Sequence, residues 1–168
     1  MLVWIPIVAA LVDDLAYVVL IGSQPERAPD VYTVPFVAAF IALMAALLGI
    51  SLLDRPLAVR LRPALRAGAA AGLILLGVLG AFSIGLALLI AGALAVGAAV
   101  RTLAGRGRLW VFYEFSAAVV VLAILVVGFE VTARIIVCPN TGSAGGQWPG
   151  IVTRGFSWEC VGGQARFT

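Results

Sequence analysis

Two adjacent carboxylates, Asp13 and Asp14, stand in the middle of an otherwise apolar stretch, LVWIPIVAALVDDLAYVVLIG. An ionisable group at membrane depth costs about 2.5–3.5 kcal/mol on insertion scales, so its presence there points to function by default. Such a carboxylate can carry a proton or coordinate a cation. Neighbouring helical positions point about 100° apart. One of the pair is thus expected to face the bundle and the other a wet crevice. The competing expectation is structural: a shifted or tilted first helix puts both near an interface, where water solvates them.

Glu130 and Arg134 lie four positions apart, with the acid on the N-terminal side. On a helix such residues pair on one face. They are expected to form an interfacial pair, whose functional form would be a patch for a lipid headgroup or a partner subunit. Cys138 and Cys160 are the only cysteines and are 22 positions apart. On an oxidising side they are expected to form one intramolecular disulfide, contributing about 3 kcal/mol by loop closure. A redox pair is the sharper alternative, but the spacing is not C-x-x-C and no second pair exists to relay electrons.

The chain has no His and no Lys; its 11 basic residues are all Arg. This excludes His-ligated haem, His-based zinc and Schiff-base or P-loop lysine chemistry. No G-x-S-x-G, Walker motif, metal-ligand cluster or cysteine beside a base is present. The expectation is no catalytic residue, no cofactor and no metal. An enzyme acting on lipid or quinone would have to rely on carboxylates alone, Glu114, Asp13 or Asp14.

The elements that must position these residues follow from composition. Of 168 residues, 63% are hydrophobic and 11% charged, with a mean hydropathy of +1.15. A chain of this size buries about 70% of its unfolded surface, too little to hide that excess. A soluble domain, a disordered chain and a collagen-like fibre are excluded. The expected fold is an all-α integral membrane protein. It comprises a bundle of five transmembrane helices over residues 1–137 and a small disulfide-closed extracytoplasmic tail over residues 138–168. The spans are 2–22, 34–53, 63–80, 84–101 and 109–137. The count is four if the first segment lies at the outer interface. That segment makes a poor signal peptide, because it lacks a basic n-region and Asp13-Asp14 interrupts it.

Residues 67–100 carry no charge over 34 positions, about 51 Å of helix against a hydrocarbon core of about 30 Å. A break is expected at Gly80–Gly85. The arginines agree. Arg55, Arg60, Arg62 and Arg66 fall in one interspan region, and Arg101, Arg106 and Arg108 in another. Two spans between them put both on the cytoplasmic side, as the positive-inside rule requires. The net charge of +3 therefore reads as a topology signal, not as a nucleic-acid footprint. Anionic lipid at these arginines is a secondary use.

Small residues allow helices to approach in lipid. Gly68 and Gly72 form a GxxxG match, followed by Gly77, then Gly92 and Gly97 in the next span. Packing within the hairpin is the expected use, with a dimer interface as the alternative. Trp110, Phe112, Tyr113 and Phe115 read as an interfacial belt. In the tail, residues 151–158 alternate imperfectly, so a short strand or hairpin is expected there. Trp148 and Trp158 would contact headgroups or a partner, or form a small core over the disulfide.

The functional expectation is a non-enzymatic accessory or structural subunit, or interaction partner, of a larger membrane complex. It would sit in a bacterial inner membrane with its N-terminus cytoplasmic. Its partners would be membrane lipids and other membrane subunits or copies of itself, not nucleic acid. The alternative is a small transporter or ion- or proton-conducting protein working through Asp13 and Asp14.

Overall fold

A computed structural model of the chain describes residues 3–22, 32–80, 85–103, 108–138 and 144–168. Five helices come first: α1 (Trp4–Gly22), α2 (Thr33–Ile50), α3 (Pro56–Leu79), α4 (Gly85–Leu103) and α5 (Arg108–Ala133). Three strands follow: β1 (Ala144–Trp148), β2 (Phe156–Val161) and β3 (Gln164–Phe167).

The uncharged stretch is divided as its length demands. The α3 helix stops at Leu79, and the Gly80 N–H returns to the Leu76 carbonyl at 2.8 Å. The Gly85 N–H then opens α4 by bonding the Gly80 carbonyl at 2.7 Å. Residues 81–84 lie outside the described residues.

Three helix limits differ from the sequence reading by three residues or more. The α3 helix begins at Pro56, not Pro63. Proline suits a first helical position, and Arg60, Arg62 and Arg66 accordingly ride on the helix instead of a loop. Pro63 sits inside α3, buried. The α2 helix ends at Ile50, with the Ser51 N–H closing on Leu47 at 3.0 Å. The α5 helix ends at Ala133, four residues short of Val137. Beyond it lie β-branched Ile135, Ile136 and Val137, then Cys138 before Pro139. β-Branching and a following proline both favour extended backbone.

Helix α3 is the hub, packing against α2, α4 and α5, while α1 lies against α2 and α4. The core runs through Ile41, Met44 and Leu48 of α2, Leu73 of α3, Leu88 of α4 and Leu125 of α5, all fully buried. Glycines set the helix spacing. A Cβ on Gly92 would lie 2.6 Å from Ile74 Cγ1, and one on Gly77 would lie 2.9 Å from the Leu89 backbone N. Gly72 similarly faces Met44 and Val121, and Gly68 faces Val121 and Ala117. The GxxxG pair thus packs inside the chain. Gly97 differs: nothing lies within 4 Å of where its Cβ would be.

The outward faces are apolar, with Phe112, Phe115, Leu86 and Ile90 more than half exposed. Helices 33–50, 56–79, 85–102 and 110–133 are long and apolar enough to cross a membrane. Contiguous apolar surface on long helices suggests membrane association.

The tail is not helical, nor only a closed loop. Its strands form an antiparallel sheet in the order β1-β2-β3. Gly162 and Gly163 join β2 to β3 with φ of 60° and 79°. Two positive-φ residues make the type I′ turn whose twist suits a hairpin. Strand β1 precedes the alternating segment and β3 lies beyond Cys160. The expected strand at 151–158 is realised only from Phe156 onward.

Candidate functional site: a carboxylate-anchored outer sheet

The sheet is joined to the bundle at two places. The first is the disulfide between Cys138, shortly after α5, and Cys160 on the central strand, with a Cα–Cα distance of 5.5 Å. Cys160 is buried and pairs in register with Ala144 and Ala165.

The second is Glu130, buried on the last turn of α5. Its Oε1 accepts the backbone N–H groups of Ile151 (2.6 Å), Val152 (3.0 Å) and Thr153 (3.4 Å). Its Oε2 accepts the Thr153 hydroxyl at 2.5 Å. Three successive amides turned toward one point form a concavity suited to an anion. Gly150, at φ 73°, sets the bend that presents them. The chain fills this anion site with its own carboxylate.

That arrangement corrects the expected Glu130–Arg134 pair. Arg134 lies beyond the end of α5 and is exposed, so the four-residue helical spacing does not apply. Among the described residues the one salt bridge joins Arg62 to Asp54 at 3.2 Å. The Pro149-Gly150 dipeptide marks a turn in the sequence, but nothing there names Glu130 as its partner.

Beneath the sheet a cavity of about 230 Å³ lies between Trp148 and Ile151 and the helix residues Tyr17, Thr33, Val37, Leu76, Leu79 and Phe129. A second, of about 190 Å³, shares Thr33, Phe129 and Trp148 with it. Trp148 therefore belongs to the seam between sheet and helices, while Trp158 packs its ring over Gly146. Phe36 helps close α2 on α5. It meets Phe129 edge-on at 5.4 Å between centroids and leaves no room for a side chain at Gly128.

Asp13 and Asp14 stand halfway along α1, both half-buried. The buried positions at the start of this helix are Pro6, Ile7 and Ala10, with Val3 just before it. Continuing that stripe at three- and four-residue steps reaches Asp13, Asp14 and Tyr17. Both carboxylates therefore lie on the face turned to α2 and α4. Asp13 Oδ2 and Asp14 Oδ1 are buried without a hydrogen-bond partner among the described residues. Glu114 is half-buried on α5, far along the helix from Glu130.

At the opposite end of the bundle Arg66 is buried, which its place among topology arginines did not suggest. Its Nε donates to Ser51 Oγ at 3.2 Å and its Nη1 to the Ala98 carbonyl at 3.4 Å. Ser51 in turn donates to the Leu48 carbonyl at 2.7 Å. One guanidinium thus ties the ends of α2 and α4 to α3, and a cation suits the negative ends of both helices. No family model, no curated protein and no solved structure matches this chain.

Proposed function

We propose that this chain is an accessory or structural subunit of a larger membrane complex, with its outer sheet as the presented surface. The supporting observation is the double fastening of the sheet, through Cys138–Cys160 and through Glu130. A platform held in one orientation contributes less ordering entropy to the cost of docking than a loose tail would. In this reading the bundle lies in a bacterial inner membrane, with the N-terminus and the loops beside α3 and α4 cytoplasmic. The sheet is extracytoplasmic, where its disulfide is maintained. Crosslinking in native nanodiscs tests it: a defined partner chain or self-oligomer is expected. A monodisperse monomer with no crosslinked partner would overturn it.

A second reading rests on Asp13 and Asp14, whose inward placement and unpartnered oxygens suit a proton- or cation-conducting role. Proteoliposome flux in Asp13→Asn and Asp14→Asn variants decides it. Unchanged flux in both removes it.

A further inference from the structure

Because Glu130 is consumed by the tail, Arg134 is left without the acidic neighbour that its spacing suggests. It lines a cavity of about 340 Å³ together with Arg154, Phe156 and Phe167. Arg134 follows directly on the last residue of α5, and Arg154 follows Thr153, the last residue of the turn that holds Glu130. Docking Glu130 into that turn thereby brings two arginines from distant parts of the chain to one cavity. Neither forms a salt bridge among the described residues. Glu159, on β2, stands in register with Arg166 and does not line this cavity. The two phenylalanines meet edge-on at 5.6 Å between centroids, and Phe167 is half exposed.

Two guanidiniums with no carboxylate lining their cavity, beside one exposed and one half-buried ring and at the end of a span, have the chemistry of an amphiphile site. Arginine recognises phosphate through paired N–H donors, and aromatic rings suit the membrane–water boundary. The cavity is open on one side and has the volume of a small-molecule site.

We infer that Arg134, Arg154, Phe156 and Phe167 form a site for the phosphate headgroup of an anionic membrane lipid, with the rings alongside its glycerol and upper acyl portion. The inference rests on the reading that α5 crosses the membrane; it is independent of the accessory-subunit reading.

The test places the full chain in phosphatidylcholine nanodiscs doped with photoactivatable phosphatidylglycerol, or with photoactivatable phosphatidylcholine of the same acyl chain. Crosslinks are then mapped by proteolysis. The phosphatidylglycerol probe is expected to label the fragment holding Phe156 at least about tenfold more than the phosphatidylcholine probe. Each of Arg134→Gln and Arg154→Gln should cut this labelling about fivefold, the weight of one arginine at a membrane surface. The double variant should abolish the preference, and Arg55→Gln/Arg60→Gln should leave it intact. Equal labelling by both lipids, or a preference that survives the double variant, overturns the site. Loss of the preference in millimolar inorganic phosphate assigns the pocket to free phosphate and overturns the lipid. Incorporation into nanodiscs and gel mobility with and without reductant report separately on membrane insertion and the disulfide. If the double variant fails to insert, the two single variants decide.

Discussion

Glu130 and Thr153 are joined twice, through the Thr153 hydroxyl on Oε2 and the Thr153 N–H on Oε1, across 23 positions of chain. Glu130→Ala removes the acceptor of every amide in the 151–153 turn and leaves those donors facing an emptied site. Hydrogen exchange at Ile151, Val152 and Thr153 should accelerate, and cleavage after Arg154 should follow. Glu130→Gln, which keeps one acceptor oxygen, should fall between the two. Exchange unchanged in Glu130→Ala would mean that the turn holds itself.

The disulfide acts on the same body. Cys138→Ser/Cys160→Ser should cost the tail about 3 kcal/mol, read as faster proteolysis between Ala144 and Arg166. With Glu130→Ala added, the loss should exceed the sum of the two, because each tie limits the motion that the other must resist. A double-mutant cycle by limited proteolysis measures this.

Helix packing makes a contrast within one helix. Gly92→Val drives its side chain into Ile74, and overpacking of this kind costs about 1–3 kcal/mol. Gly97→Val meets open space and should stay within about 0.5 kcal/mol. Thermal unfolding in one detergent, compared between the two variants, checks it.

Arg66→Ala removes hydrogen bonds to Ser51 and Ala98 and a buried stem, and should cost about 2–3 kcal/mol. Arg60→Ala, at an exposed position of the same helix, should stay within about 0.5 kcal/mol. The same thermal assay reads both.

Topology has its own test. With the native cysteines bonded, a cysteine introduced at Arg55 should be labelled by an impermeant thiol reagent only from the inside. One at Arg154 should be labelled only from the outside. Trp4→Cys reports on α1: labelling from the inside means that α1 crosses, and labelling from the outside leaves four spans.

These contrasts also mark where the residue pattern was informative. The five helices, the break near Gly80, the disulfide and the inward role of Gly72 and Gly92 are set by length, composition and local spacing. All of these are visible in a string of residues. The Glu130 site was not legible, because three of its four donors are backbone amides of Ile151, Val152 and Thr153, which carry no residue identity, and the fourth is a lone threonine hydroxyl 23 positions away. The four-residue step to Arg134 was misleading because the helix ends at Ala133, and periodicity arguments lapse where the helix does. Arg66 was hidden for another reason: an arginine serving topology and an arginine capping two helix ends look alike until α3 is seen to begin at Pro56.

The double fastening has a mechanical consequence. A rigid body pinned at one point swivels freely, whereas one pinned at two can only hinge about the line through them. For the sheet that line passes through Glu130, on the last turn of α5, and Cys138, five residues beyond its end. Between the sheet residues Trp148 and Ile151 and the helix residues Leu76, Leu79 and Phe129 lies the cavity of about 230 Å³, so this hinge is left room to move. Motion at the end of α5 is therefore carried to the sheet in every direction except rotation about that line. Reduction of the disulfide would remove one pin and leave the sheet fastened by the Glu130 carboxylate and the connecting chain, free to swivel about both.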